Sequence, residues 1–328
     1  MNKKTVFSGI QASGSLHVGN FLGAIRNWVT MQSKFNNYFC VVDLHTITIP
    51  QDPATLRAKI REVAGLLFAA GIVEDNSVVF VQSHVKAHSE LAWLLNCITP
   101  MGWLQRMTQF KEKSGKQREE VSVGLFDYPV LQAADILLYD TDMVPVGEDQ
   151  KQHVELCRDI AQRFNYQYGE TFMLPEPHIP PVGGRVMGLS NPENKMSKSE
   201  QKQEDSIFLL DNPDLIRKKL KKATTDSLRE IRFDENRPGV NNLLTIYQLF
   251  TDQNQEEIEN HFEGKSYKDL KEQLAETVIE SLRPLQERYY EIAGEKGYLD
   301  DMLNRGAELA GTKAESKLRE VWENIGLR

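Results

Sequence analysis

The chain holds only three cysteines, Cys40, Cys97 and Cys157, far apart and without a Cys-x-x-Cys spacing. Neither a disulfide framework nor a zinc or iron–sulfur centre is indicated, and such usage suits a reducing compartment. No uninterrupted apolar stretch approaches the ~18–20 residues that span a bilayer, so a membrane protein is not expected. The opening MNKKTVFSGIQ reaches Ser8, Gly9 and Gln11 at once, too short an apolar run for a secretory leader. Internal repeats and low-complexity tails are lacking as well. So is any excess of positive charge: the formal net charge is −8, whereas domains that bind nucleic acid over their whole surface carry a pI above ~9. The one dense basic cluster is Arg217, Lys218, Lys219, Lys221 and Lys222. A solvated helix face is its simplest reading, with phosphate contact as the alternative.

What is present points to a folded protein. Of 328 residues, 40% are hydrophobic and 26% charged, and at roughly 150 residues per domain the length suggests two domains. The β-branched and aromatic runs Thr5–Ile10, Tyr38–Asp43, Ser77–Ser83 and Met143–Val146 read as strands. Between the second and third, Asp52 suits an N-cap, Pro53 a first helical position and Gly71 a C-cap, around apolar residues from Leu56 to Phe68 at helical spacing. A further helix is expected through Val154, Cys157, Ile160 and Phe164. Strand and helix in alternation predict a parallel sheet flanked by helices. After about residue 190 a Pro-, Gly- and Asn-rich stretch leads into helical sequence. Asn212–Pro213 opens one helix, Ser266–Ile292 reads as another, and only Glu230–Phe233 hints at a strand. The fold class is therefore α/β, a parallel-sheet domain followed by an all-α part.

Ligands of open parallel sheets sit beyond the carboxyl ends of the strands, near a switch in strand order. The loop after the first strand, Gln11-Ala12-Ser13-Gly14-Ser15-Leu16-His17-Val18-Gly19-Asn20, is rich in small residues and opens a helix, a setting that favours anions. It matches neither GxGxxG nor GxxxxGK[ST]. His17 and Asn20, one turn apart, are placed to reach a phosphate. Lys195-Met196-Ser197-Lys198-Ser199 sets two lysines three apart on a polar loop, suited to neutralising a departing phosphate. His84 and His88, four apart, are compatible with a metal pair, but no HExxH accompanies them, and exposed structural histidines are the better reading. The apolar stretch Leu91–Leu104, with Trp93 and Trp103, is either core or a homodimer face; Trp28 and Trp322 read as packing residues.

HVGN after the first strand and KMSKS after the sheet part resemble the two signatures of the class I aminoacyl-tRNA synthetases. FSGIQASG, RMTQFKEKS and DYPVLQAADILLYDTDMVPVGEDQKQH are similar to segments of the bacterial and organellar tryptophanyl family of that class, and the likeness runs end to end.

The resemblance implies a Rossmann-like catalytic domain over residues 1–190, a mobile KMSKS loop over 191–204 with a hinge at Asn191–Asn194, and a helical tRNA anticodon-binding domain over 205–328, with room for its last helices to pack back on the first. It implies a tryptophan–tRNA ligase, acting on L-tryptophan, ATP with Mg²⁺ on its phosphates, and tRNA(Trp), as a cytoplasmic homodimer. Gln11, Ala12, Ser13, His17, Gly19, Asn20, Gly147, Glu148, Asp149, Val186, Lys195, Met196, Ser197, Lys198 and Ser199 would then line the ATP site, with Lys195, Lys198, His17 and Asn20 in the catalytic part. Asp135 would accept the indole N–H, Tyr128 and Gln150 would hold the amino-acid end, and Phe7, His45, Gln132, Val144 and Val146 would surround the ring. No protein-held metal is implied. Asp135 lies within the apolar helical run Val130–Tyr139, where a carboxylate is costly to bury without partners. The sequence departs from the common pattern at Asn20, where a histidine is usual in the class, at Gln132, where many bacterial members carry methionine, and at Leu44, where a polar residue is frequent. Three rival readings stay open: a tyrosyl-tRNA synthetase, a small-molecule adenylyltransferase, and a non-catalytic RNA-binding paralogue.

Overall fold

The structure, a computed structural model, describes residues 3–108, 122–147, 150–179, 186–197 and 200–327. β1 (Thr5–Ile10) leads to α1 (Val18–Asn20), a π-helical turn at Phe21–Ile25 and α2 (Arg26–Met31). β2 (Asn36–Val41), the short α3 (Asp43–Thr46), α4 (Pro53–Ala69) and β3 (Ser77–Val81) follow. Then come α5 (Ala87–Ile98), α6 (Met101–Gln105), α7 (Val123–Leu137), β4 (Met143–Pro145), α8 (Lys151–Tyr168) and β5 (Glu176–His178). The remainder is helical: α9 (Pro213–Lys222), α10 (Pro238–Thr251), α11 (Gln255–Phe262), α12 (Tyr267–Gly294) and α13 (Tyr298–Ile325).

The five strands form one parallel sheet in the order β3-β2-β1-β4-β5. β1 pairs with β2 from Thr5↔Asn36 to Ile10↔Val41, and with β4 at Val6↔Met143. The chain thus winds outward from β1 in both directions, which puts the switch in strand order between β1 and β4. α4 begins as its caps dictate. The Asp52 carboxylate accepts from Thr55 N–H at 2.8 Å, and the helix ends before Gly71, whose φ of +106° lies in the region that favours glycine.

Several boundaries differ from the expectation for physical reasons. β2 stops at Val41 because Asp43 opens α3 and accepts from Ser83 N–H at 3.0 Å. β3 stops at Val81 because Gln82–His84 turns as a 3-10 helix. β4 ends one residue early, at Pro145, and β5 was not anticipated. Glu230–Phe233 is not a strand. Its carbonyls and amides are met by side chains instead: Arg237 donates to Glu230 O at 2.6 Å, and Phe233 N–H donates to Glu259 at 2.7 Å.

The helical part and the sheet share their packing. Leu66 and Leu67 of α4 lie in one hydrophobic cluster with Leu282 and Leu285 of α12 and Leu299 of α13. α13 then runs back across β3 and α5. At the crossing a Cβ on Gly306 would sit 1.8 Å from Val79 O of β3. No helix among the described residues is long and apolar enough to cross a membrane.

Gly306→Ala is therefore expected to destabilise the protein, although alanine is the better helix former by about 1 kcal/mol. Overpacking against strand backbone should outweigh that gain, for a net loss of about 1–3 kcal/mol in urea denaturation.

Candidate active site

A cavity of about 450 Å³ opens at the carboxyl ends of β1 and β4, at the switch in strand order. β1 and the loop after it contribute Phe7, Ser8 and Gln11; β4 and the residues after it contribute Val144, Val146 and Gly147. His45 enters from α3, Tyr128, Gln132 and Asp135 from α7, and Gln150 caps α8 beside them. All eight residues expected around an amino-acid substrate thus converge on one cavity, together with Gln11 and Gly147 from the expected ATP set. Trp28, expected to pack, is buried against Phe39 with ring centroids 4.9 Å apart, and also reaches the cavity wall.

Asp135 is 1% exposed on a helix otherwise apolar in this stretch. Its Oδ2 pairs with His45 Nε2 at 2.8 Å. Its Oδ1 accepts from Gln82 Nε2 at 2.6 Å and pairs with His88 Nδ1 at 2.6 Å. Burial acts to raise the carboxyl pKa, but the hydrogen bonds from His45 and His88 outweigh it and hold the group well below the usual carboxylate range. An ionised carboxylate only accepts, with about four lone-pair sites. Three are taken. Among the described residues no donor meets the fourth, which lies on Oδ2, and Asp135 lines the cavity.

Two of these partners escaped the sequence reading. His88, expected as an exposed structural histidine, is fully buried, because its ring bridges Asp135 and the Tyr139 hydroxyl, 2.8 Å from Nε2. His84 is the exposed one. Gln82 is fully buried, and its Oε1 accepts from Leu44 N–H at 3.1 Å. The useful signal was the cost of burying Asp135, which demands donors without saying where they lie in the chain. His153 was missed too: it stacks on Tyr128, with Nε2 3.0 Å from the Tyr128 hydroxyl. Burial pushes the Tyr128 phenol up to about 12.

The expected phosphate-handling residues gather apart from the cavity wall. His17 Nδ1 accepts from Gly19 N–H, and Asn20 Oδ1 accepts from His17 N–H, both at 3.1 Å, a reciprocal cap on the helix start. With Nδ1 accepting, a neutral His17 ring carries its proton on Nε2. A Cβ at Gly19 would lie 3.0 Å from the His17 ring and 3.4 Å from Val186, a tight fit against both side chains. Ala12 is buried and Ser13 half-buried in the same loop.

The segment carrying Lys195, Met196 and Ser197 folds back on Val186–Gly188. Met196 N–H donates to Val186 O at 3.1 Å, and Met187 and Lys195 form an antiparallel bridge. Both ends are held. Buried Asn242 grips Met187 N–H and O, each at 2.9 Å, while Asp205 accepts from Ser190 N–H at 2.7 Å and Asn191 N–H at 3.1 Å. Ser206 Oγ donates to Ser197 O at 2.9 Å. The chain just beyond pairs with the His17 loop, Val18 N–H to Ile207 O at 2.9 Å and Leu209 N–H to Leu16 O at 2.8 Å. The two signature segments are thus stitched together. Glu148, Asp149, Lys198 and Ser199 lie outside the described residues.

The basic cluster on α9 is largely engaged within the chain. Arg217 pairs with Glu276 at 2.7 Å, Lys222 with Glu204 at 2.8 Å, and buried Lys219 with Asp211 at 2.6 Å. Lys218 and Lys221 face solvent. This favours the helix-face reading over a phosphate-binding patch.

The family model that matches the chain is described as tRNA synthetases class I (W and Y), over residues 1–283. The tryptophan–tRNA ligase of Wolinella succinogenes is 56% identical over 327 residues, covering 100% of both chains. Among solved structures, the tryptophanyl-tRNA synthetase of Mycoplasma pneumoniae is similar with a TM-score of 0.91 at 35% identity, covering 99% of this chain and 98% of that one. That of Campylobacter jejuni complexed with ADP and tryptophan is similar with a TM-score of 0.86 at 37% identity, covering 98% and 99%.

Because Asp135 titrates lower in the folded chain than in the unfolded one, the unfolded chain takes up the proton first as pH falls. Its stabilising contribution is complete above about pH 5 and fades progressively below about pH 4. Asp135→Ala, which leaves three buried donors without their acceptor, is expected to cost about 3–5 kcal/mol at pH 7. In urea denaturation the gap to the unaltered protein should narrow as the pH is lowered below 4.

Proposed function

The chain belongs to the class I tRNA synthetases for tryptophan and tyrosine, and from that premise we propose how its site joins L-tryptophan to tRNA with ATP. The observation that carries the amino-acid assignment is the one acceptor position left on ionised Asp135, facing a cavity whose wall includes Phe7, Val144 and Val146. An indole N–H fills that position. Phenylalanine offers no donor there, and a site built to bond a substrate N–H or O–H rejects analogues lacking it by about 10⁴–10⁵.

In the first step a carboxylate oxygen of tryptophan attacks the α-phosphorus of ATP in line, the bond to the bridging oxygen breaks, and pyrophosphate leaves. In the second, the terminal ribose hydroxyl of tRNA attacks the carbonyl carbon of the mixed anhydride and AMP departs. Neither step needs a protein nucleophile; positioning and charge stabilisation carry both. Tyr128 and Gln150 hold the amino-acid end in this reading. Gln11, Ala12, Ser13, Gly147, Glu148, Asp149 and Val186 hold the adenosine part. His17, Gly19 and Asn20 serve the phosphates at the capped helix start, with Lys195, Met196, Ser197, Lys198 and Ser199 closing over the leaving pyrophosphate. Asn191–Asn194 is the hinge.

Mg²⁺ arrives on the nucleotide phosphates in this reading, where it neutralises charge with few protein ligands. Residues 205–328 serve tRNA(Trp) as the anticodon-binding part. The stretch from α5 to α6 leaves Trp93 70% and Met101 66% exposed, and this apolar face supports the homodimer reading. Three free thiols, Cys40, Cys97 and Cys157, suit the cytoplasm.

Pyrophosphate–ATP exchange with each of the twenty amino acids and no tRNA tests the assignment. Exchange with tryptophan alone is expected; exchange with tyrosine would move the chain to the sister enzyme, and none at all would favour the RNA-binding paralogue. Lys195→Ala is expected to slow exchange by about a hundredfold while leaving tryptophan binding in equilibrium dialysis unchanged. Trp93→Asp is expected to halve the mass measured by light scattering.

A further inference from the structure

Two of the three donors on Asp135 do not touch the cavity. Gln82 and His88 are both fully buried behind the carboxylate, and both bond the same oxygen, Oδ1. Each is itself fixed from behind. The Gln82 amide cannot turn over without losing a bond, because its Oε1 already accepts from Leu44 N–H of α3. In a neutral His88 ring the nitrogens cannot exchange roles without losing a bond: Nδ1 carries the hydrogen that faces the ionised carboxylate, and Nε2 accepts from the Tyr139 hydroxyl. Tyr139 is fully buried and stacked between Phe7, at 5.6 Å and 10°, and Tyr38, at 4.4 Å and 26°. Phe7 in turn is part of the cavity wall.

We propose that Gln82 and His88, with Tyr139 behind the histidine, are positioning residues for substrate choice: they hold Asp135 ionised and saturate Oδ1, so that the remaining acceptor position is on Oδ2 and points into the cavity. The proposal rests on the tryptophan reading. A protonated Asp135 would place a hydroxyl hydrogen where an indole N–H must donate, and two donors facing each other in a dry site repel. Holding the proton off Asp135 is therefore part of recognition, not only of folding.

The surroundings leave that task to these donors. Cys40 of β2 and Cys157 of α8 are buried and feel the Asp135 charge; burial pushes both thiols up, so neither carries charge near neutral pH. Burial likewise pushes the Tyr139 phenol up. The Asp43 carboxylate accepts from Ser83 N–H at 3.0 Å. His45 supplies the third bond, but it lies in the cavity wall and touches substrate in the same reading. Without the bond from Gln82 or His88, less opposes the upward pull of burial on the carboxyl pKa.

The test is the KM for tryptophan in pyrophosphate–ATP exchange, followed from pH 8 to 6 with the full-length protein. The unaltered chain should show a flat profile. His88→Leu should raise KM for tryptophan about tenfold or more at pH 8, the loss of one hydrogen bond to a charged group, and further as pH falls to 6, while KM for ATP stays within about twofold. His88→Asn, whose amide N–H takes the Nδ1 position, should restore the flat profile. Gln82→Met, close in volume, should repeat the pH-dependent rise and stands as an independent test if His88→Leu does not fold. A flat tryptophan KM in both variants, or a fall in kcat alone, would overturn the proposal while leaving the tryptophan reading intact. Absence of tryptophan-dependent exchange in the unaltered chain would overturn that reading, and the proposal with it.

Discussion

A carboxylate buried on an apolar helix is the constraint around which the catalytic half is arranged. Asp135 cannot stay ionised at 1% exposure unless hydrogen bonds replace its water. The donors arrive from three places at the carboxyl ends of the strands: His45 from the turn after β2, Gln82 from the turn after β3, and His88 from α5. The turn geometry follows from the same need. Leu44 N–H and Gln82 meet, and Asp43 meets Ser83, so the ends of β2 and β3 are tied to each other as well as to α7. The cavity is thus bounded by groups that cannot move independently.

The second requirement is to bring two distant signature segments together. The His17 loop gains its shape from a reciprocal cap with Asn20 and packs closely at Gly19, against the His17 ring and Val186. The Lys195 segment gains its place from pairing with Val186–Gly188 and from Asn242 and Asp205, both of which bind its backbone. Backbone contacts of this kind fix position whatever the neighbouring side chains are.

Much of this was legible from residue order. Asp52-Pro53, Asn212-Pro213 and Ser266 announce helix starts through short-range hydrogen bonds, and each is an N-cap in the structure. The apolar runs place four of the five strands to within about two residues. The amino-acid set around Asp135 also came from motifs, and the cavity gathers all of it. Glu230–Phe233 shows the limit: its alternating pattern is that of a strand, but among the described residues no strand pairs with it, and side chains took over its backbone bonds.

By itself, then, the sequence determined the elements, their caps and the chemistry-bearing motifs, because these depend on residues within a few positions of one another. Tertiary structure alone decided who answers the charges. Asp135 finds its donors 90, 53 and 47 residues away in the chain. The cluster from Arg217 to Lys222 is quieted by Glu276, Glu204 and Asp211. A buried charge states its need locally, through the cost of desolvation, but the partner that meets it is set by which strand ends and helices the fold brings alongside.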